Sequence, residues 1–125
     1  MISRENVDVI YINGKQNHFY ISPLHEYGHA VMYSLYNDNV TWGDAVPDHH
    51  HTVSNPEFAW TEGWAEFMNC IVYNNLKLSL YQSGPYTGST IENNDWWWGE
   101  NYDNYCGEYV EGAVASVLWD IWDSN

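Results

Sequence analysis

The chain is 125 residues long, enough for one domain and too short for two of ordinary size. It carries 17 Asp and Glu against 3 Lys and Arg, a formal net charge of −14, and Arg4, Lys15 and Lys77 are its only permanent cations. That balance argues against nucleic-acid binding and against docking on anionic membranes. No apolar run approaches the ~18 residues a membrane span requires. A hydrophobic fraction of 45%, with 8 Trp and 11 Tyr, points instead to a folded, aromatic-rich domain.

The alternating, β-branched stretch Val7-Asp8-Val9-Ile10-Tyr11-Ile12 predicts a strand, Asn13-Gly14-Lys15 a turn, and His18-Phe19-Tyr20-Ile21 a second strand. Ser22-Pro23 then offers an N-cap followed by proline at the first helical position, and the helix is expected to run to about Asn37, where Asn37-Asp38-Asn39 breaks it. Residues 38–55 read as a polar loop holding Gly43, Pro47 and His49-His50-His51. Asn55-Pro56 repeats the cap-then-proline signal and opens a second helix from about Pro56 to Asn74. Residues 76–81 suit a short strand or an irregular segment, and Gly84 to Asn104 a long ordered loop. A third helix is expected from Glu108 to about Asp123, with Val110, Val114, Val117, Leu118 and Ile121 on its apolar face. The expected fold is α+β: a short N-terminal sheet followed by three helices, one domain over residues 1–125 or the excised core of a longer chain.

The first helix holds His25-Glu26-Tyr27-Gly28-His29, an HExxH pattern. Histidines four apart lie about 40° apart around a helix, so both imidazoles leave one face and can share one Zn²⁺. Glu26, turned by roughly 100° from His25, is poorly placed as a ligand but able to reach a water at the metal. Catalytic zinc takes three protein ligands and keeps one position open. The second helix supplies candidates in Thr61-Glu62-Gly63-Trp64-Ala65-Glu66-Phe67, where Glu62 and Glu66 stand one turn apart on the same face. Two carboxylates so spaced repel unless something positive lies between them. A metal bound by Glu62, with Glu66 accepting the free ring N–H of a ligand histidine, meets that need. The alternatives are a solvated acidic face for the glutamates and a third ligand from His49-His50-His51.

Through HEYGH at 25–29 and TEGWAEF at 61–67, the chain resembles the gluzincin branch of the zinc metallopeptidases, typified by thermolysin. The resemblance covers roughly residues 18–70 and implies a small zincin-like domain. It implies His25, His29 and Glu62 as zinc ligands, Glu26 as general base and later proton donor, and Glu66 as the carboxylate supporting His25. It also implies a protein or peptide substrate and a donor for the tetrahedral oxyanion, for which His51, Tyr86, Tyr102, Tyr105 and Tyr109 are candidates. The sequence departs from that pattern in three ways. The connection from His29 to Glu62 is longer than in the best-known gluzincins. Met32 and Leu35 stand where a metzincin would need Gly and His, which excludes that branch. These 125 residues leave no room for a large second domain, so one cleft wall is expected to be missing or supplied by a segment outside this chain.

Other features carry less. Asp95-Trp96-Trp97-Trp98 suits stacking on a glycan or peptide, or packing over the helices, and Asp95, Glu100, Asp103, Asp120 and Asp123 are weak candidates for Ca²⁺, since no EF-hand loop is present. Glu108 and Glu111 suit the positive end of the third helix. Cys70 and Cys106 permit one disulfide or two buried thiols. Met1 to Asn6 lacks the signature of a signal peptide. With Lys scarce, Asn and Trp abundant and a disulfide permitted, the expectation is an extracellular protein whose leader is not in this chain. The sequence reading is a zinc endopeptidase, no GxMEN exopeptidase motif being present. A zinc-stabilised binding module that uses the Trp-rich loop is the alternative.

Overall fold

A computed structural model describes residues 21–46, 53–73, 91 and 107–123. Among these residues there are three α-helices, α1 (Ile21–Leu35), α2 (Pro56–Tyr73) and α3 (Glu111–Asp123), with a 3-10 turn at Gly107–Tyr109 and no strand. The expectation of an α+β fold with an N-terminal sheet is therefore corrected to a helical one. Val7–Ile12, residues 76–81 and most of the second expected strand lie outside the described residues, but Ile21, expected to end that strand, is helical. Proline is tolerated throughout the first turn, where the N–H groups have no intrahelical partner. Pro23 therefore leaves the helix free to reach back past Ser22.

Both ends of the first connection follow from local chemistry. α1 closes in a Schellman turn: Asn37 sits at φ 52° and Asp38 at φ 64°, Asp38 N–H donates to the Tyr33 carbonyl at 2.9 Å and Asn37 N–H to that of Ser34 at 3.2 Å. Asparagine and aspartate accept this left-handed backbone more readily than most residues. α2 opens on the expected cap, with the Asn55 side-chain oxygen accepting from Phe58 N–H at 2.9 Å. The Asn55 amide also donates to the Asp44 carbonyl at 2.9 Å, so one residue caps the helix and anchors the loop before it.

α2 is the central helix and packs against both others. Each crossing is close because a glycine stands at it. A Cβ on Gly28 would lie 2.9 Å from Ala65 Cα in α2, and one on Gly63 would lie 2.7 Å from the Glu111 carbonyl and from Val114 Cβ in α3. The core cluster joins Phe67 and Cys70 of α2 to Val110, Ala113, Ala115 and Trp119 around α3, with Ile91 completing it. Of the apolar face expected for α3, Val110 is in the core, Leu118 packs against it and Val114 meets Gly63, and the remainder is revised. Val117 is 57% exposed and Ile121 71%, whereas Gly112, Ala113, Ala115, Ser116 and Trp119 face inward. At Gly63 the absence of a side chain on α2 makes room for Val114 of α3. The helix also begins at Glu111 rather than Glu108, because Gly107–Tyr109 makes a separate 3-10 turn. Cys70 is a buried free thiol.

Candidate metal centre

The α1–α2 crossing at Gly28 brings the two sequence motifs face to face. Trp64 of α2 donates its indole N–H to the Gly28 carbonyl at 3.0 Å, pinning the middle of one motif to the middle of the other. Above this contact, one ligand atom from each of His25, His29 and Glu62 lies within 4.8 Å of the others. The two Nε2 atoms are 3.1 Å apart. Glu62 Oε2 is 3.0 Å from His25 Nε2, and Glu62 Oε1 is 3.4 Å from His29 Nε2. Ligands about 2.05 Å from a tetrahedral zinc stand about 3.3 Å from one another, close to these separations.

Hydrogen bonding makes the case for a cation stronger than spacing alone. His25 Nδ1 lies 2.8 Å from Glu66 Oε1, so Nδ1–H donates to that carboxylate. In a neutral imidazole this leaves Nε2 with a lone pair. That lone pair faces both the Glu62 carboxylate and the His29 ring, an arrangement that needs a proton or a metal ion among them. Burial pulls the His25 pKa down, but the charges of Glu66 and Glu62 and the hydrogen bonds the ring donates to them outweigh it and raise it well above the ordinary histidine value. Burial in turn pushes Glu62 up, and the two histidines more than reverse this, holding its carboxyl well below the usual range. The donor set of two imidazole nitrogens and one carboxylate oxygen fits a zinc-type metal.

Glu26 is half-buried on α1 and takes no part in these contacts. His29 is held differently from His25: its Nδ1 is buried with no hydrogen-bond partner among the described residues. Its ring instead meets Trp42 edge-on, 5.5 Å between centroids at 73°. Trp42 stacks in turn on Tyr33 at 6.4 Å and 20°.

The profile of the mycolysin C-terminal domain family matches residues 3–125, nearly the whole chain. The chain belongs to this family. It is a peptidase-related family, which agrees with a metal-binding group at the meeting of the two motifs without establishing turnover. The chain is also 27% identical, over 106 residues and 82% of its length, to an uncharacterized protein of Archaeoglobus fulgidus. It spans only 27% of that relative's length. No solved structure matches.

Of the other residues singled out in the sequence of this family member, His51, Tyr86, Tyr102, Tyr105, the Trp96–Trp98 run and Cys106 lie outside the described residues. The Tyr109 carbonyl accepts from Ser54 N–H at 2.7 Å and from the Ser54 hydroxyl at 3.1 Å, tying the approach to α2 to the 3-10 turn. Among the described residues, Asp120 and Asp123 join no metal-binding group, and Asp95, Glu100 and Asp103 lie outside them. Trp42 is what sequence reasoning missed. Its signal was a single tryptophan before a glycine inside an otherwise polar loop, and Gly43 does turn there at φ 72°. No helix among the described residues is long and apolar enough to cross a membrane.

Proposed function

We propose that the protein is a zinc-dependent peptidase of gluzincin type, with His25, His29 and Glu62 holding the metal. The observation that carries this reading is the convergence of His25 Nε2, His29 Nε2 and a Glu62 oxygen, with the outer nitrogen of His25 on Glu66. Held by His25, His29 and Glu62, zinc would supply Lewis-acid polarisation and water activation at neutral pH. Glu66 fixes the tautomer and direction of His25 and raises its basicity. Glu26, adjacent to His25 but outside the donor set, takes the proton from the attacking water at its carboxylate and passes it to the leaving amine. Trp42 restrains the His29 ring from the side. Internal cleavage of peptide chains is the activity proposed, since no site for a free terminus is evident in the motifs. An extracellular setting is proposed with it, on the scarcity of cations and the abundance of Asn and Trp.

Glu26→Gln is the discriminating variant. It is expected to bind zinc as the wild type does and to lose hydrolysis of a casein or quenched-peptide substrate by a factor of at least about 100. Hydrolysis undiminished in this variant contradicts the peptidase mechanism. Zinc bound by a wild type that cleaves nothing supports the binding-module alternative.

A further inference from the structure

We propose that a groove beside the metal centre receives an arginine or lysine side chain of the peptide, a specificity that rests on the peptidase reading above. The groove, about 310 Å³, is lined by Met32, Tyr36, Val40, Pro56, Glu57 and Trp60 among others. Its residues at the end of α1 lie C-terminal to His29. Met32 and Tyr36 follow His29 by three and seven residues, which places the groove about 5–10 Å along the helix. An extended peptide covers that distance in about two to three residues. The volume lies at the low end for ligand pockets and suits one long side chain better than a folded segment.

The lining chemistry selects which side chain. Met32, Val40 and Pro56 offer an apolar wall for an aliphatic stem. Tyr36 and Trp60 are joined by a hydrogen bond from the indole N–H to the phenol oxygen at 3.2 Å, which holds two electron-rich rings at the groove. Glu57, exposed in the first turn of α2, adds a carboxylate. The described residues contain no Lys or Arg, while Asp38 and Asp44 of the loop between the two helices and Glu57 of α2 are carboxylates outside the metal-binding group. At the groove itself Glu57 is the charged lining residue, so a cationic side chain meets attraction there and an acidic one meets repulsion.

The test reads binding, so it survives loss of turnover. Zinc-loaded Glu26→Gln protein is titrated with fluorescent Gly-Ala-Leu peptides that carry one Arg, norleucine or Glu at successive positions. The Arg peptide is expected to bind about tenfold more tightly than norleucine at its best position. Glu57→Gln is expected to remove about threefold of that gap, leaving the norleucine affinity unchanged, because an exposed charge contributes modestly. Raising the salt, which needs no second variant, should narrow the gap of the Glu26→Gln protein. Equal affinities for Arg and norleucine overturn the proposal, as does a gap that neither Glu57→Gln nor salt alters. Failure of the peptidase reading would appear separately, as zinc-loaded wild type that hydrolyses no peptide.

Discussion

The two faces of α2 are built alike and used differently. Each meets its neighbour at a glycine, Gly28 on the α1 side and Gly63 on the α3 side. The α3 face buries Phe67, Cys70, Ala113, Ala115 and Trp119 in an apolar cluster. The α1 face places two histidines and two glutamates in contact, with His25, His29 and Glu62 still partly open to solvent. Apolar burial stabilises without direction, while a histidine–carboxylate group is costly to bury unless each polar atom finds a partner. One face therefore carries stability and the other the candidate metal-binding group. Helix α2 couples them, because Glu62 and Glu66 alternate along it with the buried Gly63, Ala65 and Phe67.

That division can be broken from either side. Trp119→Ala, on the α3 face, is expected to destabilise by about 3–5 kcal/mol, read by chemical denaturation, with metal binding lost only where the fold is lost. Gly28→Ala sets a methyl group 2.9 Å from Ala65 Cα. The cost should be about 1–3 kcal/mol, with a parallel fall in zinc affinity although no ligand changes. An unchanged zinc affinity in this variant would separate helix approach from site geometry. Glu66→Gln keeps the volume and should weaken zinc binding about tenfold, measured by competition with a chelator.

The same variant has a pH signature in the metal-free protein. With His25 raised in the folded state, its contribution to stability is present below about pH 6.5 and is lost as pH rises through the raised value. Glu66→Gln should flatten that dependence in thermal unfolding followed against pH. Asn55→Ala removes the α2 cap and should cost about 1 kcal/mol. The smallest effect concerns Cys70: burial, with the charge of Glu66, pushes its thiol up to about 12. It should resist iodoacetamide at pH 8 in the folded protein and react on unfolding, with the site of labelling read by mass spectrometry. Its stabilising contribution holds below about pH 8.5 and declines as pH climbs toward the raised value.

What the sequence made legible was whatever local chemistry decides. Asn55-Pro56 marks the start of α2 because a cap and a proline act on their own backbone. The spacing within HEYGH and between Glu62 and Glu66 places side chains by helix geometry alone. Contacts across helices were less legible. The inward face of α3 meets α2 through Val114 at Gly63 and through Ala113, Ala115 and Trp119 in the core, and Val117 and Ile121 lie outward despite their hydrophobicity. Ile21 is strand-prone but joins α1, since propensity differences of tenths of a kcal/mol yield to the helix it adjoins. Trp42 stands against His29 because the Asn55 amide anchors the loop at Asp44, a contact between residues eleven apart that no periodic pattern announces.

The central claim, that the α1 face of α2 is a metal centre made by His25, His29 and Glu62, is tested most directly by X-ray absorption at the zinc edge of the loaded protein. Two imidazole nitrogens and oxygen ligands at about 2.0–2.1 Å, with no sulfur, are the result this structure predicts. A zinc–sulfur distance near 2.3 Å, or three or more imidazoles drawn from the His49–His51 run, would contradict it.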